Sequence, residues 1–312
     1  MSRIILLLAV TLMVASCKSL KNITVEKISQ QQPVSETKRI ISTLADDKMG
    51  GRQPGTPGME AATVWVEDLL KHAGVKPFFK NGFRDSLELD GKPAYNIVGV
   101  VGNSSSKEYV LIGAHLDHIG KASSKTDSVY NGANDDASGV TAVLQIAQFL
   151  SKYSLNKNVI VALFTGEESG LIGSGHLAAR LKESNVNLKY VIAFEMIGKQ
   201  LTSGKDKVYA TGYKLSDFAQ QVNEAMKVNF IEFLPEEERF QLFRRSDNYP
   251  FYQQYKIPAH TISTFDFKNY DFYHHEDDEW EKLDIEHMNR VINLSTLAII
   301  KLLVEERVIT MK

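Results

Sequence analysis

Apolar residues follow two alternating patterns along the chain. Short runs rich in valine and isoleucine, typical of buried strands, occupy 94–102, 108–117, 158–164, 189–198 and 257–264. Around them, apolar residues recur at helical spacing over 36–44, 59–72, 139–150, 171–182, 214–227 and 285–305. We expect the first two runs to form neighbouring strands joined by a serine-rich turn. The alternation predicts an α/β fold in which a mostly parallel, mixed central sheet carries helices on both faces.

The length and composition suit one globular domain. The chain has 312 residues, 43% hydrophobic and 24% charged, which is enough apolar material for a sizeable core. We expect a single domain from 36 to 312. Residues 17–35 are polar and lack sustained periodicity, so they are predicted to form a flexible tether. The net charge is -2 and the basic residues are scattered, which argues against nucleic acid as a partner.

Residues 1–16 have the features of a secretory signal peptide. Arg3 precedes an apolar run, which is too short for a permanent membrane span, and the small Ser16 follows it. Cys17, the only cysteine in the sequence, comes next, in a pattern that resembles the bacterial lipoprotein box. An ordinary secreted protein with an incidental cysteine is the alternative. The lipoprotein interpretation predicts a lipid anchor on Cys17 and a periplasmic or outer-membrane-facing location in a Gram-negative envelope.

Carboxylate and imidazole side chains follow the predicted strands where each strand ends. Five separate segments contribute them: His115 with Asp117, Asp135, Glu167 with Glu168, Glu195, and His274. Ligands collect at the carboxyl ends of the strands in open parallel sheets. Convergence of such side chains from distant segments predicts a metal-dependent active site.

The residue types at these positions suit metal-assisted hydrolysis. In a His-x-Asp pair, a metal-bound His115 would need a carboxylate such as that of Asp117 to fix its ring. Asp135 lies in a loop between glycines, where one carboxylate can bridge two ions. The side chains of Glu167 and Glu168 diverge in extended backbone, so one can bind metal while the other faces the attacking water.

The motifs GAHLDHIG, GANDDASG and FTGEESGLIGS, together with the downstream histidine, closely resemble the zinc aminopeptidase and glutamate carboxypeptidase family, metallopeptidase family twenty-eight. The resemblance covers essentially 36–312. It implies two zinc ions per chain, one held by His115, Asp135 and Glu195 and the other by Asp135, Glu168 and His274. It also implies that Glu167 is the general base and that Asp117 is the partner of His115.

Three positions near the motifs need separate comment. The last ligand is either His274 or His275, and the family spacing favours His274. The family mostly has aspartate where this chain has Glu195, so the zinc held by His115 is the less certain of the two. His118 follows the His-x-Asp pair on the same loop and is predicted to have a surface role, with a contact at the rim or to substrate as the alternative.

The resemblance implies an exopeptidase that removes N-terminal residues from peptides, with a zinc-bound water as nucleophile. A carboxypeptidase is the other possibility within the family. A single-zinc glutaminyl cyclase on the same fold and a non-catalytic binding module are the alternatives outside it. The intact 134–139 loop and the presence of His115 favour hydrolysis. No oligomeric state is predicted.

Overall fold

The computed structural model describes residues 19–102, 105–121 and 128–312. The predicted signal peptide and the predicted lipid attachment site, Cys17, lie outside the described residues, so both stay predictions. Within the described part of the chain, no helix is both long and apolar enough to cross a membrane.

The described residues form nine α-helices and eleven strands. The helices are α1 Val25–Gln31, α2 Val34–Leu44, α3 Pro57–His72, α4 Ser138–Leu150, α5 Ile172–Glu183, α6 Phe218–Met226, α7 Pro235–Arg239, α8 Asn248–Tyr255 and α9 Ile285–Val304. The strands are β1 Lys76–Pro77, β2 Arg84–Leu89, β3 Lys92–Val101, β4 Glu108–His115, β5 Gly120–Lys121, β6 Val129–Tyr130, β7 Asn158–Phe164, β8 Asn187–Phe194, β9 Val208–Ala210, β10 Ile231–Glu232 and β11 Ala259–Ser263.

The central sheet is mixed, which confirms the predicted fold class. Its strand order is β1-β3-β7-β4-β8-β11-β9-β10, with β2 paired to β3. The central strands β7, β4, β8 and β11 run parallel to one another, whereas β3 is antiparallel to β7 and β9 to β11. The expectation that β3 and β4 are neighbours is wrong, because β7 lies between them. Chain order alone does not show that a later strand inserts there.

Helices cover both faces of the sheet because the central strands are apolar on both sides. In β4, Val110 and Ile112 pack in a large cluster with α2, α3, α4 and α9. Leu111, which points to the opposite face, packs in a second cluster with residues of α5 and α8. All seven residues of β7 are buried. A strand buried on both faces is the pattern of a parallel sheet between helical layers.

The flexible tether predicted for residues 17–35 is wrong for the part that the structure describes. Helix α1 begins after Thr24, whose side chain accepts the Lys27 N–H, an N-terminal cap that favours helix. Ile28 is 0% exposed and belongs to the large core cluster. The Gln32 amide donates to the main-chain oxygen of Gln145 at 2.6 Å. A helix as short as α1 can pack on the core through one apolar side chain, so the rest of the segment can be polar.

We expect Ile28→Ala to lower the free energy of unfolding by about 2–5 kcal/mol, the usual cost of truncating a buried isoleucine. The matched control is Val228→Ala, because Val228 is 56% exposed and its truncation should change the stability by less than about 0.5 kcal/mol. Urea denaturation measures both variants. Equal stability of the two would mean that α1 does not pack on the domain.

Candidate metal centre

Four parallel strands end at one edge of the sheet and position the predicted site residues. The strands β7, β4, β8 and β11 are adjacent in that order, so their carboxyl ends lie together. His115 is the last residue of β4, and Glu195 directly follows β8. Glu167 and Glu168 come after β7, and His274 lies in the loop after β11. The topology thus gathers residues from four distant parts of the sequence.

Asp135 lies between two imidazoles. Its Oδ1 is 3.2 Å from Nε2 of His115, and its Oδ2 is 3.3 Å from Nε2 of His274. The same nitrogen of His274 is 3.0 Å from Oε2 of Glu168. The adjacent His275 instead lies beside acidic residues of its own loop. Asp135 therefore occupies the central position that the family resemblance implies for it, and His274 rather than His275 faces it.

His118 belongs to the same cluster, so the surface role predicted for it is wrong. The residue is 0% exposed. Its Nδ1 lies 2.8 Å from Oε1 of Glu168 and 4.0 Å from Oδ2 of Asp135. These three residues offer possible metal-ligating atoms within 4.8 Å of one another. The sequence signal that was passed over is the position of His118 three residues after His115, within reach of the same centre.

Glu195 and Glu167 line a pocket beside Asp135. Among the described residues, no ion pair joins a histidine to the Glu195 carboxylate. The pocket has a volume of about 690 Å³ including its opening to solvent. Its apolar and aromatic walls come from Met196, Tyr209, Leu242, Phe265, Phe267 and Tyr273. The role of Glu195 as a metal ligand therefore stays a prediction, whereas the structure shows that Glu195 lines the pocket.

Asp117 connects the end of β4 to the turn that carries Glu167. Its Oδ1 accepts the main-chain N–H of Glu167 at 3.3 Å. Nδ1 of His115 is 3.1 Å from the main-chain oxygen of Asp117 and 3.9 Å from Oδ1. The sequence predicts that the carboxylate orients the ring. In the structure, the carbonyl of Asp117 makes the nearer contact to His115, and the carboxylate fixes the backbone of Glu167.

The backbone around Asp135 is held by Asp278. The two carboxylate oxygens of Asp278 accept the N–H groups of Asn134 at 2.8 Å and Asp135 at 3.1 Å. Its main-chain oxygen accepts the Ala133 N–H, and the Tyr270 hydroxyl donates to its Oδ1. Because the backbone position sets where the Asp135 carboxylate lies, Asp278 helps to position that carboxylate through contacts to the backbone.

Gly139 lets this segment approach β8 closely. A Cβ at this position would lie 2.4 Å from the main-chain oxygen of Phe194, so any side chain would force the two segments apart. The Asp136 carboxylate spans the contact, since its Oδ1 accepts the N–H groups of Gly139 and Met196. The GANDDASG motif thus fixes Asp135 relative to the residues that follow β8.

Arg52 is a buried cation that the sequence analysis missed. It is 0% exposed, and its guanidinium donates to the main-chain oxygens of Leu44, Leu116, Asn131 and Gly132. Burial lowers its pKa, and the carboxylates of the site oppose this effect. Arg52 therefore joins the loop after β4 to the loop that leads to Asp135. An arginine in a glycine- and proline-rich loop gives no sequence signal of burial.

The histidines and the buried carboxylates of the site shift each other's pKa values. Burial would raise the pKa of Asp135, but the adjacent imidazoles of His115 and His274 bring it below its usual value. Burial would also raise the pKa of Glu168. Hydrogen bonds from His118 and His274 instead lower it to about 2. Hydrogen bonds to Asp135 and Glu168 raise the pKa of His274 to about 10. These shifts show that the carboxylates of Asp135 and Glu168 lie where a nearby positive charge stabilises them.

The pKa of Glu167 moves the opposite way. Burial raises it well above its usual value, the His115 imidazole opposes the rise, and the carboxylates of Glu195 and Asp247 add to it. Burial also raises the pKa of Glu195, to about 7. Glu167 is thus distinct from its neighbour Glu168, although the two are adjacent in sequence.

The donor set suits a divalent metal. Imidazole nitrogen and carboxylate oxygen are ligands that zinc accepts. Nε2 of His115 is buried and has no hydrogen-bond partner of good geometry, as expected of a nitrogen that binds a metal. A divalent cation between Asp135 and the histidines would supply positive charge to the buried carboxylates. The residues present therefore fit a divalent metal at Asp135, and the number of ions stays a prediction.

We expect Arg52→Met to lower the free energy of unfolding by about 3–5 kcal/mol, because it leaves buried carbonyl oxygens and site carboxylates without their cation. The control is Arg39→Met, which removes a surface ion pair to Glu36 and should cost at most about 1 kcal/mol. Chemical denaturation monitors both variants. Equal losses would show that the buried guanidinium does not support the site loops.

Comparison with known proteins identifies relatives of this chain. A probable zinc metalloprotease of Leptosphaeria maculans is 32% identical over 207 residues, which is 63% of this chain and 47% of that protein. The chain thus spans about half the length of this curated relative. The Legionella pneumophila LapA aminopeptidase matches with a TM-score of 0.70 and 18% identity over 89% of this chain and 74% of that one. A Porphyromonas gingivalis glutaminyl cyclase matches with a TM-score of 0.65 and 18% identity over 88% and 98%.

The two structural matches show a shared fold, since their identities are low. The family assignment comes from a separate comparison: the model of Peptidase family M28 matches residues 96–298. That range contains every predicted metal ligand and the predicted base, and it covers more than half of the chain. The protein therefore belongs to Peptidase family M28.

Proposed function

We propose that the protein is a zinc-dependent aminopeptidase with two zinc ions. The observation that carries the proposal is that the two oxygens of Asp135 face two different imidazoles, of His115 and His274, beside a pocket lined by Glu167. A carboxylate placed in this way suits a pair of ions, one on each side. Membership of a peptidase family supports the same conclusion.

The residues divide into two groups around Asp135. His115 and Oδ1 of Asp135 would hold one ion, with Glu195 as the further candidate ligand at that side of the pocket. Oδ2 of Asp135, Glu168 and His274 would hold the other. Zinc bound there supplies a Lewis acid that polarises the peptide carbonyl and makes a water more acidic.

Glu167 is the residue placed to move the proton. It lines the pocket with Asp135, and its backbone is fixed by the Asp117 carboxylate. In the reaction it accepts a proton from the attacking water and passes it to the departing amine. Its half-buried position keeps the proton near the reacting atoms.

The pocket supports removal of the first residue of a peptide. Glu195 and Glu167 contribute carboxylates to its lining, next to apolar and aromatic walls. A carboxylate at such a site attracts the ammonium group of a free N-terminus, and the walls suit the adjoining side chain. Arg245 also lines the pocket, but the carboxylates of Asp135, Glu167 and Glu195 outnumber its guanidinium. This arrangement favours an aminopeptidase over a carboxypeptidase, whose substrate presents a negative terminus instead.

Glu167→Gln should keep the fold and the bound zinc but lower kcat by about 10²–10⁴-fold, the usual contribution of a general base. Glu183→Gln, a change at the end of α5 away from the pocket, is the matched control and should retain activity. Hydrolysis of an aminoacyl anilide measures both. Activity of Glu167→Gln equal to that of the control would remove Glu167 from the proton-transfer role.

Metal content and substrate choice test the rest of the proposal. We expect two zinc ions per chain by elemental analysis, and loss of one of them in His115→Ala. Chelation should abolish cleavage of the aminoacyl anilide, and an N-acetylated anilide should not be cleaved. Formation of pyroglutamyl product from a glutaminyl peptide, with one zinc per chain, would instead favour a cyclase. A wild-type chain without zinc would favour the non-catalytic alternative.

A further inference from the structure

We propose that His118 is a positioning residue of the metal centre, which aims the Glu168 carboxylate through a hydrogen bond from Nδ1 to Oε1. This inference rests on the metal centre described above and adds a residue to it. The predicted ligand sets derived from the family resemblance do not include His118.

The contacts of Glu168 divide its two oxygens between two histidines. Oε1 lies 2.8 Å from Nδ1 of His118, and Oε2 lies 3.0 Å from Nε2 of His274. Rotation of the Glu168 carboxyl group would break both contacts together. With Oε1 occupied by an N–H donor, Oε2 is the oxygen left to face His274 and Asp135, where the metal would bind. The hydrogen bond therefore determines which oxygen the metal meets.

The geometry favours this role over direct ligation by His118. Its Nδ1 points at a carboxylate oxygen at hydrogen-bond distance and is 4.0 Å from Oδ2 of Asp135. An imidazole that carries a proton on Nδ1 can donate it in a hydrogen bond to Glu168. Hydrogen bonds to ligating carboxylates orient them, and their loss typically weakens metal binding by about 10- to 100-fold.

The surrounding backbone is shaped to hold the His118 ring. Gly132 has φ +56°, a conformation that favours glycine, and a Cβ there would lie 2.5 Å from ring atoms of His118. The His118 N–H donates to the main-chain oxygen of Arg52 at 3.3 Å. The Arg52 guanidinium in turn donates to the main-chain oxygen of Gly132. The ring is thus enclosed between two loops that Arg52 joins, so its direction towards Glu168 is fixed.

The test compares His118→Phe with His118→Asn in the full-length chain. Phenylalanine fills the space of the ring without a donor, whereas the asparagine amide can place an N–H near the position of Nδ1. Competition with a chromophoric chelator measures the affinity for each of the two zinc ions. We expect His118→Phe to weaken one of the two by about 10- to 100-fold, and His118→Asn to recover most of that loss.

His287→Phe is the matched control, because His287 is also a fully buried histidine but lies at the start of α9. It should bind both ions as the wild type does. Wild-type affinity in His118→Phe would overturn the inference, and so would a loss in His118→Asn as large as that in His118→Phe. A wild-type chain that binds no zinc would overturn the metal centre itself, an outcome that the titration separates from the other two.

Discussion

The structure depends on one electrostatic constraint: several carboxylates are buried together at the ends of parallel strands. Asp117, Asp135 and Asp136 are each at most 3% exposed, and Glu168 and Glu195 lie beside them. Burying a charge without a partner is costly. The fold partners these carboxylates with the imidazoles of His115, His118 and His274 and with the nearby guanidinium of Arg52. A pair of divalent cations would partner these carboxylates more fully, which is why the arrangement points to a metal enzyme.

A second set of residues holds the first in place. Asp278 accepts the N–H groups next to Asp135, and Asp136 ties the same segment to the residues that follow β8. Arg52 joins the loop after β4 to the loop before Asp135. Metal sites usually need such supporting contacts, since the ligands must keep their directions when the metal binds. The chemistry of the site thus depends on residues that hold the backbone of the candidate ligands.

Much of the fold follows from the sequence, because the periodicity of apolar residues is local. Helices α2 to α5 and α9, and strands β3, β4, β7, β8 and β11, lie where the spacing predicts them. The insertion of β7 between β3 and β4 is set by long-range pairing, which chain order does not reveal. Helix α1 was missed because a single buried isoleucine gives no period. Short strands such as β1 and β10 carry too few residues to produce a pattern.

Some residues of the candidate site can likewise be predicted from the sequence, and others cannot. Motifs that hold a ligand and its glycine neighbours in one short stretch, such as the one around Asp135, are visible in the sequence. Arg52 and Asp278 are not visible, because their roles come from contacts to the backbone of distant loops. The position of His118 on a loop after the His-x-Asp pair predicts a surface role, and only the fold shows that its ring is enclosed and directed at Glu168. Residue type indicates possible chemistry, whereas burial and direction decide its use.

Anomalous diffraction at the zinc edge, from crystals of the zinc-loaded protein, tests the central claim most directly. The account predicts two peaks about 3.5–4 Å apart, one on each side of the Asp135 carboxylate, with His115 next to one and His274 next to the other. A single peak, or zinc bound away from Asp135, would contradict it.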